Sequence, residues 1–540
     1  MTTPLLRVDN LRVGFAGREI VHGVSFTVEP GQCLAIVGES GSGKSVTART
    51  LIGLPGPQSA VTADTFEFRG RSVTEHRDRD WQRLRGKQIG FVLQDALVSL
   101  DPLRPIGKEI GEAIAAHDHT TRTTRTAAVI ELLRLVGVPR PELRARQRSG
   151  ELSGGLRQRA LIAAALALDP PLLIADEPTT ALDATVAAQI LDVLAEAKQR
   201  GKAVLLISHD LAVVARLADR VAVMRDGEFV ETGPAAEVLN NPRHDYTRSL
   251  LDAVPSGISK GTLLTDRTPA PTPDTPPAGA PPALLARGLR KTFTAPDGGN
   301  PTGVHDVSFE LAAGTTLGIV GESGSGKTTT ARILLGLTRP DAGTVELGGT
   351  PWSALSARAR RARRHEISVI YQDPLSSFDP RWTVAHILRD ALEAADVPRR
   401  AREPRIDELL TQVQLSDDVR DRTPLRLSGG QRQRVAIARA LAGEPSVIVC
   451  DEPVSALDVS VQARVLDLLT TLQARTGVAL LFISHDLGVI HHMSDHILVM
   501  KDGVVVEQGE ADRVFHAPEH PYTRTLLDAI PRLGEQVVAA

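Results

Sequence analysis

The same ordered set of four phrases occurs twice in this 540-residue chain. VGESGSGKS at 37–45 returns as VGESGSGKT at 320–328, and ELSGGLRQR at 151–159 returns as RLSGGQRQR at 426–434. ADEPTTALD at 175–183 returns as CDEPVSALD at 450–458, and ISHDL at 207–211 is repeated at 483–487. One unit has been duplicated, so any fold proposed for one half must also serve the other. Between the copies, residues 268–282 hold seven prolines in fifteen positions, a composition that favours extended polyproline-like backbone. The chain is therefore expected to comprise a first domain over 1–256, a linker over 257–282 and a second domain over 283–540. At roughly 3 Å per residue that linker would reach on the order of 80 Å, enough for the two halves to meet within one molecule.

Each half reads as α/β. Apolar runs such as CLAIVG, PLLIAD and AVLLIS end where the phrases begin, and helical patterns follow them. Ligands of open parallel sheets bind at the carboxyl ends of the strands, so the phrases should converge on one edge. The stretches 107–150 and 384–426 are expected to form a mainly helical subdomain in each half.

Composition narrows the function classes. Apolar residues make up 42% and charged residues 24%, which is ordinary for a folded chain. Lys plus Arg number 62 against 65 Asp plus Glu, and aromatics are only 3%. Neither a basic footprint nor a base-stacking platform is available, so nucleic acid is not an expected partner. There are only two cysteines, Cys33 and Cys450, each in an apolar run, and that count excludes a disulfide scaffold and a cysteine-ligated metal cluster. No window approaches the roughly 18–20 apolar residues of a membrane helix, and charges interrupt the N-terminal MTTPLLRVDNLRVGF. Neither a spanning segment nor an export signal is expected, and a reducing cytoplasm suits the cysteine usage.

The chemistry is carried by the repeated phrases. Gly38, Glu39, Ser40, Gly41, Ser42, Gly43, Lys44, Ser45 and Val46 form a glycine-rich phosphate loop entering a helix; so do Gly321, Glu322, Ser323, Gly324, Ser325, Gly326, Lys327, Thr328 and Thr329. Backbone N–H groups of such a loop wrap phosphate oxygens, Lys44 or Lys327 neutralises the terminal phosphates, and the Ser45 or Thr328 hydroxyl ligates Mg²⁺. Asp176 and Asp451 end apolar runs and are the expected magnesium carboxylates. Glu177 and Glu452 beside them are positioned to orient or activate a water. Taken alone, a carboxylate pair at a strand end is a common surface feature; downstream of a phosphate loop it reads as a metal and water site.

LSGGL and LSGGQ, each followed by RQR, resemble the signature of ATP-binding cassette ATPases, a resemblance that covers both halves. It implies two P-loop cassettes, each with a helical and a small antiparallel β subdomain, and ATP with Mg²⁺ as ligands. It further implies that Ser153, Gly154 and Gly155, and likewise Ser428, Gly429 and Gly430, begin helices that grip a γ-phosphate held by the opposite half. On the same pattern Gln94 and Gln372 touch Mg²⁺ and water, Asp183 and Asp458 lie in the inter-half contact loop, and His209 and His485 are the switch histidines. Phe15 and Phe293 stand where the family stacks an aromatic on adenine; packing in the core is the competing reading. Leu156 departs from the pattern, as does Ala164, which aligns with Arg439.

NPRHDYTRSLLDAVP (241–255) and APEHPYTRTLLDAIP (517–531) resemble the C-terminal extension of ATPase subunits serving oligopeptide, dipeptide and nickel importers. QDALVSLDP (94–102) and QDPLSSFDP (372–380) resemble the glutamine-loop region of the same branch. The implied partners are two integral-membrane permease subunits and an external solute-binding protein. The implied place is the cytoplasmic face of the membrane, touched only through the permeases near 95–125 and 373–395. Some relatives carry an iron–sulfur cluster; with no cysteine between 34 and 449, none is expected here. Nickel chelates, glutathione and peptide antibiotics remain alternative cargoes. A soluble tandem-cassette factor acting on ribosomes or DNA is a reading from another class, disfavoured by the nearly chargeless, proline-rich linker. An exporter is disfavoured because exporters commonly fuse membrane helices to the cassette. The arginines at 358, 360, 361, 363 and 364 are expected to form a solvated helix face, and His491, His492 and His496 to be surface or packing residues.

Overall fold

The computed structural model describes residues 3–93, 99–118, 120–179, 182–272, 281–293 and 302–529. They divide into two compact units, within Met1–Leu251 and Asp252–Ala529.

In the first unit a six-stranded sheet runs, in spatial order, Glu228–Pro234, Arg220–Arg225, Cys33–Val37, Ala203–Ser208, Leu172–Asp176 and Ile89–Val92. The first strand is antiparallel to its neighbour and the other pairings are parallel. Every residue of Cys33–Val37, Leu172–Asp176 and Ala203–Ser208 is buried, because both faces of the sheet are covered, one of them by a second sheet; hence the unbroken apolar runs. A second, antiparallel sheet contains Leu6–Phe15, Arg18–Val28, Ser59–Thr62, Thr65–Phe68 and Arg71–Ser72. Its buried Leu6, Val8, Leu11 and Val13 share one core with Ile36, Ile174, Leu205 and Ile207 of the large sheet. Helices Ile106–Ala115, Arg122–Leu135 and Pro141–Arg144 form the helical subdomain.

The second unit repeats the plan. Its large sheet runs Ile367–Ile370, Val447–Asp451, Ala479–Ile483, Thr316–Val320, His496–Lys501 and Val504–Glu510. Its small sheet runs Thr302–Leu311, Leu284–Phe293, Ala342–Leu347 and Thr350–Pro351. Helices Val384–Ala394 and Arg399–Gln412 form the corresponding helical subdomain. No described helix is long and apolar enough to cross a membrane.

The second unit begins well before residue 283. Leu264 is fully buried, and the N–H groups of Leu264 and Thr265 donate to Asp467 at 2.8 and 2.9 Å. Lys260 Nζ lies 2.6 Å from Asp495 Oδ2, and Ser259 Oγ donates to Asp512 at 2.9 Å. Residues 256–268 contain no proline, so their amides remain free to donate; the proline-dense stretch starts at Pro269. Residues 273–280 lie outside the described residues.

Two basic features are only partly absorbed by packing. Arg360 donates to the Gly336 carbonyl at 3.0 Å, and Arg363 pairs with Glu366 at 2.6 Å, whereas Arg358, Arg361 and Arg364 are exposed. His491 and His492 are buried, and His496 is exposed.

Candidate functional site

Three adjacent parallel strands deliver three of the four repeated phrases to one sheet edge. In the first unit Cys33–Val37 leads into the phosphate loop, Ala203–Ser208 into His209, and Leu172–Asp176 into Glu177. Gly38, Gly41 and Gly43 have φ of 151°, 84° and 107°, and a Cβ on Gly38 would lie 2.1 Å from the Met224 carbonyl oxygen. Glycine is thus required both by backbone angle and by the close approach of the neighbouring strand. Lys44 is buried and donates to the carbonyls of Gly38 and Glu39 at 2.7 and 2.8 Å. Lys327 repeats this with Gly321 and Glu322 at 2.6 and 2.9 Å. Ser40, Val46, Ser323, Gly324, Gly326 and Thr329 occupy equivalent places in the two loops and first helical turns.

Ser45 Oγ donates to Asp176 Oδ1 at 3.1 Å. The other oxygen, Asp176 Oδ2, is buried without a hydrogen-bond partner among the described residues, and so are the loop hydroxyls Ser42 Oγ and Ser325 Oγ. Buried oxygens of this kind carry a desolvation cost that a hard cation and phosphate oxygens would remove, so the donor set fits Mg²⁺. Burial pushes the Asp176 carboxyl up to about 6, partly offset by the Ser45 bond. Burial and the neighbouring Glu452 charge raise Asp451 as well.

Glu177 and Glu452 both adopt φ of 50°, an uncommon angle for a residue with a Cβ. A backbone bond holds each one, Glu177 N–H to the Ile207 carbonyl and Glu452 N–H to that of Ile483, both at 2.9 Å. The twist aims each carboxylate at a histidine. Glu177 Oε1 lies 3.0 Å from His209 Nδ1, and Glu452 Oε2 lies 3.2 Å from His485 Nδ1. Gln372 Nε2 donates to Glu452 Oε2 at 2.9 Å. Burial opposes ionisation of Glu452, but the His485 hydrogen bond and the His485 and Lys327 charges outweigh it and hold the carboxyl below its usual range. Burial likewise opposes charge on His485, yet Glu452 and Asp486 raise its pKa.

The signature residues lie at helix starts. Ser153 caps the helix Gly154–Leu166, accepting from Leu156 N–H at 3.4 Å. Ser428 caps Gly429–Leu441, accepting from Gln431 N–H at 3.2 Å, and the Gln431 side chain accepts in return from Ser428 N–H at 3.0 Å. Leu156 has no oxygen with which to complete that reciprocal pair. All of Ser153, Gly154, Ser428 and Gly429 are exposed. A Cβ on Gly154 would meet nothing within 4 Å, and one on Gly429 only an ordinary contact with Leu457, so neither glycine is demanded by packing inside its own unit. Gly155 and Gly430 face Val186 and Val461, and a Cβ on Gly430 would lie only 2.5 Å from Val461 Cγ1.

Asp183 caps the helix Ala184–Gln199 by accepting from Val186 N–H at 3.0 Å, and Asp458 opens Val459–Thr476. Phe15 is partly buried against the first core, whereas Phe293 is 43% exposed with Lys291 Nζ 5.8 Å from its ring centre. Gln94 follows the strand Ile89–Val92 in sequence and lies outside the described residues. Arg439 binds Ser377 through both its carbonyl, at 2.8 Å, and its hydroxyl, at 3.0 Å; Ala164 offers no such group in the first unit.

Sequence reading assigned no role to Tyr246 or Tyr522, yet their hydroxyls bond the backbone of the phosphate loops. The available signal was the recurrence of the tyrosine in HDYTR and HPYTR.

Residues 21–180 and 304–455 match the family described as ABC transporter. Residues 230–281 and 506–537 match the oligopeptide/dipeptide transporter C-terminal region. The oligopeptide transport ATP-binding protein OppD of Mycobacterium tuberculosis is 40% identical over 612 residues, spanning 98% of this chain and 99% of the relative. The glutathione import ATP-binding protein GsiA of Pectobacterium atrosepticum is 40% identical over 560 residues, spanning 98% and 89%. Among solved structures, RNase-L Inhibitor aligns with a TM-score of 0.60 at 22% identity over 92% of this chain and 90% of that one, a likeness of fold alone.

Proposed function

Because the chain belongs to the ATP-binding cassette family, as a fused tandem ATPase of the oligopeptide/dipeptide importer branch, we propose that it hydrolyses ATP to drive import of peptides. Short or modified peptides, glutathione among them, fall in the same cargo class. The observation that carries this reading is that each cassette is followed by its own copy of the oligopeptide/dipeptide C-terminal region. The permeases and the solute-binding protein are separate chains, and this ATPase sits beneath the permeases on the cytoplasmic side. The helical subdomains receive the permease loops.

The loop amides and Lys44 or Lys327 hold the β- and γ-phosphates. Ser45 with Asp176, and Thr328 with Asp451, would hold Mg²⁺, assisted by Gln94 and Gln372; the bound ion would offset charge on the phosphate oxygens. Glu177 and Glu452 accept a proton from the attacking water, and His209 and His485 fix the carboxylate and the γ-phosphate. Phe15 and Phe293 stack on adenine. The signature helices Gly154–Leu166 and Gly429–Leu441 complete the sites in trans, each donating its N-terminal N–H groups to the nucleotide held by the other unit's loop; Asp183 and Asp458 contribute to the contact between halves. This reading accounts for glycines at 154 and 429 that nothing inside their own unit requires. ATP then closes the halves, and hydrolysis reopens them to reset the permeases.

The test is reconstitution with the two permeases in vesicles, with the binding protein added. The reading predicts ATP hydrolysis stimulated by di- to oligopeptides and accumulation of labelled peptide. Stimulation by a non-peptide solute alone would overturn the peptide assignment.

A further inference from the structure

Each C-terminal region touches the phosphate loop of its own unit through one tyrosine. Tyr246 Oη accepts from Glu39 N–H at 3.2 Å, and Tyr522 Oη accepts from Glu322 N–H at 3.1 Å. The same two peptide groups are held from their other ends. Gly38 O and Glu39 N–H belong to one planar unit, and Gly38 O receives Lys44 Nζ at 2.7 Å. Gly321 O receives Lys327 Nζ at 2.6 Å in the same manner. Rotation of that plane would therefore displace the carbonyl on which the lysine rests.

The tyrosines are themselves anchored. Both rings are buried, with Arg225 5.0 Å and Lys501 4.7 Å from the ring centres. His244 Nδ1 accepts from Tyr246 N–H at 3.1 Å, and His520 Nδ1 from Tyr522 N–H at 3.1 Å. The next link is a carboxylate on the sheet edge: Glu231 accepts from His244 N–H at 3.1 Å and Glu507 from His520 N–H at 3.0 Å. A chain of hydrogen bonds thus runs from sheet edge to phosphate loop and is built twice with the same residue types.

We propose that Tyr246 and Tyr522 are positioning residues that lock the Gly38–Glu39 and Gly321–Glu322 peptide planes and so preset Lys44 and Lys327 for the phosphates. The C-terminal region thereby sets nucleotide affinity. This rests on the reading of the loops as ATP sites.

The test uses the full chain with Tyr246→Phe and Tyr522→Phe, singly and together, a change that keeps each ring and removes one hydroxyl. Loss of one net hydrogen bond predicts a KM for MgATP about five-fold higher in the double variant, with kcat moving far less. Amide-resolved hydrogen exchange in the nucleotide-free protein should show Glu39 N–H protected, with exchange faster in Tyr246→Phe. Unchanged KM and unchanged exchange, with the wild type binding MgATP, would overturn the proposal. Failure of the wild type to bind MgATP would instead overturn the ATPase reading. Should the double variant fold poorly, the single variants and the wild-type exchange decide, since rapid exchange at Glu39 N–H in the wild type also contradicts the tether.

Discussion

His485 Nδ1 and Gln372 Nε2 both address a single oxygen, Glu452 Oε2, at 3.2 and 2.9 Å. The imidazole is raised above its ordinary 6.5 and the carboxyl held below its ordinary 4.5. The sign of each shift defines a window. The contribution of Glu452 is in place above 4.5 and lost as pH falls through its lowered pKa, while that of His485 is in place below 6.5 and lost as pH rises through its raised pKa. The pair is therefore complete between those values. In Glu452→Gln, burial of His485 is left opposed mainly by Asp486, so histidine-resolved NMR should find its pKa lowered. An unmoved His485 titration would show that the pair is not formed. In the same variant, loss of the proposed general base predicts a fall in hydrolysis of at least about 100-fold at the second unit, with MgATP binding retained.

Asp176 illustrates how a site can oppose stability. Its carboxyl is raised from 3.8 to about 6 by burial, so above about pH 6 the nucleotide-free fold holds a buried anion. Because this carboxyl is raised, its destabilising effect is complete above the folded pKa and disappears as pH falls toward 3.8. Asp176→Asn keeps an acceptor for Ser45 and removes the charge. It is predicted to melt higher than wild type at pH 8 without nucleotide, a gain that shrinks below about pH 6, and to bind Mg²⁺–nucleotide more weakly. Calorimetric scans at the two pH values check the first statement and Mn²⁺ titration the second; a lower melting temperature at pH 8 would contradict it.

Asp467 is predicted to hold the segment 256–268 on the second unit. Asp467→Ala leaves the Leu264 and Thr265 N–H groups without their acceptor, at a cost of about 1–3 kcal/mol. Limited trypsin digestion should cut the variant after Lys260 and Arg267 at doses that spare those bonds in the wild type. Equal resistance at both bonds would show that the segment is held by other means.

The sheet edge was readable in advance because the phrases at 38–45, 176–177 and 207–211 each abut an apolar run, and parallel topology places strand ends side by side. The Tyr246 tether was not. Its partner Glu39 lies 207 residues away, and no local periodicity encodes which backbone amide a phenol will meet. The segment 256–268 escaped for a related reason: the prolines downstream dominate the composition of the stretch, while its acceptor Asp467 lies about 200 residues further on, in a helix whose pattern reports only its own faces. The difference between Arg439 and Ala164 was visible as letters, but that Arg439 clamps Ser377 follows only from three-dimensional packing.

Reciprocity, the proposal that each phosphate loop is completed by the other unit's signature helix, has a direct test. In a Lys327→Ala background, where turnover is confined to the Lys44 loop, single-turnover hydrolysis should be abolished by Ser428→Arg and spared by Ser153→Arg. Hydrolysis that survives Ser428→Arg and vanishes with Ser153→Arg would show that each loop is completed within its own unit.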